Sequence, residues 1–323
     1  MIGHPDKVLF PDDGITKGEL AAYYEDVAPV MLPHIARRPV TMERYPAGIG
    51  QKGFIQKDVS KGFPEWLQRV EVPKKNGTSF YALVNDARAL LWTANQNSIT
   101  PHVWSSRVPE LDRPDLCVFD LDPSNEDPDA LRSAALQLRA LLEEFGLPSW
   151  LKTSGSKGFH IVVPLDGQDG FDIVHRFAHG LATVLVDRDP AHLTQEFLKA
   201  DRAGRILIDI GRNGFGATFA AAYAVRPKPG APVSAPCTWQ ELEDALVGPR
   251  SFGLKTMRQR LDAVGGDLWA ALHASGHSLR APLEQLERLL PEERWQAART
   301  ASRRKPAPRK GRAARTKEPK QEP

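Results

Sequence analysis

The chain has 323 residues, 41% hydrophobic and 26% charged, with a net charge of +3, enough for one large or two modest globular domains with real cores. Its two cysteines, Cys117 and Cys237, stand far apart, which excludes a disulfide framework and a CxxC zinc site by spacing. No apolar run approaches the ~18 residues of a membrane span and the N-terminus is no signal peptide, so no membrane partner and a cytoplasmic location are expected.

His4-Pro5-Asp6-Lys7-Val8-Leu9-Phe10 opens the chain. Thr16-Lys17-Gly18-Glu19 reads as a capping box, and Leu20, Tyr23, Tyr24, Val27 and Met31 follow at helical spacing. Residues 39–45 are strand-like and a glycine-rich turn leads to 53–57. Residues 64–84 carry further strands and turns, and Asp86 to Asn97 is a helix. The extended segment 99–104 surrounds one histidine, His102, which taken alone reads as structural.

From Leu116 the order of elements becomes informative. A strand over 116–121 leads to a helix from Pro128 to Phe145, with Asp127 suited to cap it, Pro128 at its first position and Gly146 as C-cap. The strands Trp150–Ser154 and Phe159–Leu165 are joined by Gly155-Ser156-Lys157-Gly158. A helix within 170–187 and a strand over 205–210 follow. This is β-α-β-β-α-β, the ferredoxin-like or split-βαβ arrangement, whose first strand lies between the third and the fourth. His160 and Asp209, on those flanking strands, can therefore reach the first strand.

After Gly211-Arg212-Asn213-Gly214 a small-residue strand is expected over Ala217 to Val225, running into the basic turn Arg226-Pro227-Lys228-Pro229-Gly230. Thr238-Trp239-Gln240-Glu241 is a second capping box, opening the helix ELEDAL. Residues 251–297 read as short amphipathic helices with glycine breaks. From Arg299 onward ten Lys/Arg stand against two Glu, about +8, which leaves the body near −5. The segment 299–323 reads as a disordered basic tail, either a solvated solubility segment or a source of salt-sensitive DNA attraction.

The strand over 116–121 and the residue after it carry the chemistry. Asp120 and Asp122 alternate with Phe119 and Leu121, so both carboxylates share one face about 6–7 Å apart at Cβ, where they repel unless a cation sits between them. With Asp209 they make three carboxylates and no His/Cys ligand set, an all-oxygen donor type that suits Mg²⁺ or Mn²⁺. Two such ions would stabilise both the attacking and the leaving oxygen of an in-line displacement at phosphorus. Lys157, Arg226 and Lys228, with Arg202 and Arg212 beside the third acid, offer cations for a polyphosphate. Ser154-Gly155-Ser156-Lys157-Gly158 would let phosphate oxygens approach the backbone, although it is equally a good hairpin turn.

In order along the chain, VFDLDP (118–123), TSGSKGFH (153–160), LIDIGRN (207–213) and YAVRPKPGAPV (223–233) resemble the polymerase (primase-polymerase) domain of the bacterial non-homologous end-joining DNA ligase D family, of the archaeo-eukaryotic primase superfamily. DKVLFP, GITKGEL with the following Tyr23-Tyr24, LPHIARRPVTMERYP and FIQKD match the same family, so the resemblance covers roughly residues 3–275.

The resemblance implies an α/β (α+β) primase-type catalytic core. In it an N-terminal α/β module (1–112) joins an RRM/ferredoxin-like palm (113–275), followed here by a helical extension (276–298) and the tail. It implies a metal-dependent nucleotidyltransferase that adds ribo- or deoxynucleotides to a primer 3′ end during break repair, often with Mn²⁺ preferred over Mg²⁺. Asp120, Asp122 and Asp209 match the metal-binding acids. Ser154, Lys157 and His160 match binders of the incoming triphosphate, and His102 a contact to the nucleotide sugar. Arg226 and Lys228 stand where the family has a basic pair, often with arginine second, and Arg202 and Arg212 at basic or polar positions. Lys7 and Lys17 match lysines that hold the 5′-phosphate of gapped DNA. Phe54 matches one of two adjacent template-stacking aromatics; the other is Ile55 here, which weakens the platform. No ligase or nuclease motif follows, so the chain reads as a stand-alone polymerase at the nucleoid, served by a separate ligase and an end-binding protein such as Ku.

Two other classes fit parts of the pattern. An RRM-like nucleic-acid-binding module shares the element order, but needs stacking aromatics where Asp120 and Asp122 stand. A metal-dependent phosphodiesterase would use the same acids, and separates from a polymerase by shortening rather than lengthening DNA.

Overall fold

The computed structural model describes residues 2–59, 61–74 and 77–295; the basic tail expected over 299–323 lies outside the described residues, as do the last residues of the expected 276–298 extension. Two six-stranded sheets form the framework of the fold among the described residues.

In the second sheet the Leu116–Asp122 strand runs antiparallel between Phe159–Pro164 and Ile206–Asp209, as the split-βαβ order requires. Trp150–Thr153 pairs outside Phe159–Pro164, and Leu193–Thr194 and Pro236–Cys237 form the edges. Strand alternation divides the side chains between faces. Cys117, Phe119, Leu121, Phe159, Ile161 and Val163 are buried against the helices Pro128–Glu144 and Phe171–Arg188, each large apolar side chain contributing about 2 kcal/mol. The first helix starts as expected: Pro128 opens it and the Asp127 carboxylate accepts the amides of Asp129 and Ala130.

The opposite face carries Val118 and Val162 into a second core shared with the first sheet. That sheet is ordered Phe219–Ala220, Ser98–Val103, Pro39–Arg44, Gly77–Leu83, Arg69–Lys74, with Phe54–Gln56 also on Pro39–Arg44. The helix Lys17–Ile35 covers it, opened by the Thr16–Glu19 capping box and burying Leu20, Tyr23, Tyr24, Val27 and Met31. Residues 219–235 and 254–272 return to this core, so the palm strands are wrapped by chain from both sides. No helix among the described residues is long and apolar enough to cross a membrane.

Two expected elements are shorter than the pattern suggested. The strand over Ala217–Val225 reduces to Phe219–Ala220: Ala224 closes a turn onto Ala221 and Tyr223 adopts a φ of 66°, which no strand continues. The tyrosine is held there because its hydroxyl donates to Asp267 at 2.6 Å and its carbonyl accepts the Tyr23 hydroxyl at 2.7 Å. The helix after the second capping box spans only Trp239–Glu243, ended by Ala245 at a φ of 56°.

An ion cluster locks the junction of the two sheets. Arg38, fully buried, grips Asp115 with two bonds of 2.6 and 2.7 Å, and Arg107 adds a third of 2.9 Å. Burial pushes the Asp115 carboxyl up, but the two guanidiniums more than reverse this and hold it below its ordinary range. Arg38→Ala is expected to cost about 3 kcal/mol, because it strands a desolvated carboxylate; urea unfolding measures it. A depressed carboxyl adds stability that is present above the unfolded-state value of about 3.9 and lost as pH falls through the lower folded value. The variant should therefore lose part of the wild-type protein's acid-side slope.

Candidate active site

The register of the palm sheet assembles the candidate residues. Asp120 stands directly opposite Asp209 on one neighbouring strand and His160 on the other, and opposed residues of paired strands share a face. That face is the one turned away from the two helices. Here a pocket of about 250 Å³ is lined by His102, Asp120, Asp122, Ser154, Lys157, His160, Asp209, Arg212 and Arg226.

The three carboxylates are held differently. Asp120 accepts Arg212 at 3.0 Å and has the His160 Nε2 at 3.5 Å. Burial raises its proton affinity; Arg212 opposes this, while Asp209 and Asp122 add to it. Asp122 accepts Arg202 at 2.9 Å. Asp209 accepts the Gly211 amide at 2.8 Å and lies 3.5 Å from Arg212. His160 is buried, and burial followed by Lys152 pushes its imidazole well below its ordinary range. It is therefore a neutral ring beside Asp120, and its Nδ1 is buried with no hydrogen-bond partner among the described residues.

The turn after Trp150–Thr153 is built from its own sequence. The Ser154 hydroxyl accepts the amides of Ser156 and Gly158, both at 3.1 Å, so its first use is to hold the hairpin. Gly155 adopts a φ of 63°, where a Cβ would lie 2.5 Å from the Arg226 side chain. At Gly158 a Cβ would stand 1.6 Å from the Leu121 carbonyl oxygen. Only glycine lets the hairpin lie on the strand bearing the acids. Lys157 remains exposed at the rim.

Across the pocket, His102 bonds Glu43 at 3.1 Å. Burial lowers the His102 affinity for a proton and Glu43 acts against it, and Glu43 also accepts the Tyr45 hydroxyl at 3.0 Å. The Arg226 Nε is buried without a partner among the described residues.

Other expected site residues lie elsewhere. Lys228 is exposed and is not part of the pocket lining. Arg202 sits behind Asp122, buried, with its remaining donors on the Glu196 and Phe197 carbonyls, so it meets the acid rather than the pocket space. Lys7 lines a separate recess with His4 and Asp6, and the buried Lys17 donates to the Gly3 carbonyl at 2.7 Å. Phe54 and Ile55 are both about half exposed, at 47% and 54%, and Arg44 lies over the Phe54 ring.

The sequence reading passed over Phe219, a wall residue, and Glu43, which holds the wall residue His102 from behind. Neither carries a local signal, since each is brought to the site through long-range strand pairing. Asn213 was quoted only inside a motif; its carboxamide bridges the amide and carbonyl of Val118 at 2.8 and 2.7 Å, which steadies the strand two residues before Asp120.

No group of three His, Cys, Asp or Glu side chains among the described residues is arranged to hold a metal ion as they stand. The guanidiniums of Arg212 and Arg202 occupy the carboxylate oxygens instead. The donor set nonetheless fits a hard divalent ion in type: three carboxylates on one sheet end, one with its proton affinity raised by burial and further by the other two, which is the unmet demand a cation answers.

The chain matches the LigD, primase-polymerase domain family over residues 16–269. It belongs to that family. The multifunctional non-homologous end joining protein LigD of Mycolicibacterium smegmatis is 36% identical over 274 residues, 84% of this chain and 36% of the relative. The Pseudomonas aeruginosa protein of the same name is 36% identical over 267 residues, covering 82% of this chain and 32% of the relative. The LigD family member described here thus spans about a third of the length of these curated relatives. The polymerase domain of Mycobacterium tuberculosis ligase D, solved in complex with DNA, superposes with a TM-score of 0.80 at 35% identity, covering 85% of this chain and 98% of that one. The primase-type fold and the polymerase class of nucleotidyltransferase expected from the motifs are those of the LigD primase-polymerase family.

Proposed function

We propose that the domain extends the 3′ end of DNA at breaks and gaps with ribo- or deoxynucleotides, as part of non-homologous end joining. The observation that carries this reading is the convergence of three carboxylates, a glycine-flanked lysine turn and two arginines on one pocket. A divalent ion, Mn²⁺ or Mg²⁺, held by Asp120, Asp122 and Asp209 would supply charge stabilisation at the reacting phosphorus, singly or as a pair.

The chain's own groups do the rest. Lys157 and Arg226 neutralise the triphosphate from the rim and the wall, and the amides of the 154–158 turn approach its oxygens. His102, steadied by Glu43, faces the sugar. His160, kept neutral by burial, lies beside Asp120 without competing for its charge. Lys7 and Lys17 take the 5′-phosphate of a gap, Phe54 stacks on the template, and Lys228 meets the phosphates only at the pocket's edge. A ligase activity and an end-binding protein such as Ku complete the repair, with residues 1–112 and 113–275 acting as one catalytic unit.

Lys157→Ala is expected to raise the KM for nucleotide about tenfold with a smaller change in kcat, the loss of one charge-assisted contact; steady-state incorporation kinetics measure it. Labelled DNA incubated with Mn²⁺, with and without nucleotides, tests the reading itself. Lengthening that needs nucleotide supports transfer, and shortening without nucleotide would assign the same acids to hydrolysis. DNA binding indifferent to chelator with no incorporation would instead favour an RRM-like binding module.

A further inference from the structure

The row of opposed side chains does not stop at His160. Lys152, on Trp150–Thr153, stands directly opposite His160, so Asp209, Asp120, His160 and Lys152 form one line across four strands. Lys152 is fully buried. Its ammonium donates to the Ser234 hydroxyl and lies 5.8 Å from the centroid of the Phe219 ring, both neutral partners. Phe219 in turn meets the His160 ring edge-on, with centroids 6.2 Å apart, and both rings line the pocket. Taking an ammonium out of water costs several kcal/mol, and a hydroxyl and a ring offset only part of that.

We propose that Lys152 is a positioning residue of the nucleotide site: it fixes the Phe219–His160 wall and sets behind it a buried amino group that becomes cationic as an anionic phosphate chain arrives. The inference rests on the reading of the pocket as a triphosphate site. A charge held in the protein interior acts over a longer range than a surface lysine, because little water screens it. Burial, and after it Arg226, hold the ammonium well below the ordinary lysine range, while Asp120 acts the other way. The approach of a polyanion strengthens the charged form in the same sense as Asp120.

Lys152→Met keeps the stem and removes the amino group that a phosphate chain would charge. Replacing a buried charge by an apolar chain is often neutral or stabilising, so an unchanged or higher Tm is expected. Calorimetric titration of ATP into the full chain with Mn²⁺ should show affinity weakened about tenfold, the reach of one charge across several ångströms of interior. Ser234→Ala, which releases the ammonium, should give a smaller loss in the same direction. In a Phe219→Leu background the further effect of Lys152→Met should shrink, since the two act through one wall. A folded Lys152→Met protein with ATP affinity within twofold of wild type would overturn the proposal, as would a lowered Tm with unchanged affinity, the mark of a purely structural lysine. Should that variant not fold, Ser234→Ala decides by the same titration. A wild-type protein that binds no ATP overturns the underlying reading of the pocket as well.

Discussion

Asp120→Asn is expected to reduce nucleotide incorporation by about 10³-fold or more, the loss of roughly 4 kcal/mol of transition-state stabilisation, while the protein stays folded. Asp120 is central to the site: Asp209 opposes it on one strand, His160 on the other, and Arg212 bonds it from the side. Its ionised form is disfavoured by burial and by two neighbouring acids, so the folded protein gains little from that charge. An amide of the same shape still accepts the Arg212 bond. The Tm of Asp120→Asn should accordingly equal or exceed that of wild type, with stability and activity moving apart as they do where a site is held under strain. Thermal melts and primer extension on one preparation measure both. A fall in both together would make Asp120 a structural residue.

The second large effect concerns the fold beneath the site. Gly158→Ala is expected to destabilise by roughly 5 kcal/mol and lower Tm by 10 °C or more. The added Cβ would sit 1.6 Å from the Leu121 carbonyl oxygen, a backbone atom that cannot swing away. The hairpin must lift off the acid-bearing strand, which breaks the Phe159–Leu121 and His160–Asp120 pairing and removes His160 from Asp120. Gly146→Ala serves as the control: its φ of 70° strains a side chain, but nothing lies within 4 Å of the new Cβ, so about 1 kcal/mol is expected. Calorimetric melts of the two variants separate a steric clash from backbone strain.

The palm was legible because its signals are local. Alternation along 116–122, Asp127 and Pro128 at the helix start, and the two-residue spacing of the acids each follow from neighbouring residues. The strand order then placed His160 and Asp209 without further information. The first sheet was legible only as separate strands: Pro39–Arg44 pairs with Ser98–Val103, which pairs with Phe219–Ala220, and such distant registers leave no local mark. That is why Glu43 and Phe219 escaped notice. The run 217–225 misled because small residues are compatible with a strand, whereas the turn there is imposed by Tyr23 and Asp267 on Tyr223. A lysine within a strand carries no local mark of burial, and Lys152 is buried only by its place between Phe159–Pro164 and Pro236–Cys237. Arg202 reads as a phosphate ligand because basic residues near acids suggest it, yet its guanidinium is already shared among Asp122 and two carbonyls.

The most direct test is extension of the primer in a gapped duplex bearing a 5′-phosphate, with Mn²⁺ and a mixture of ribo- and deoxynucleotides, comparing wild type with Asp209→Ala. Wild-type protein should lengthen the primer across the gap and lose this with chelator, and Asp209→Ala should leave it unextended. Equal extension by both proteins, or none by wild type, would contradict the account.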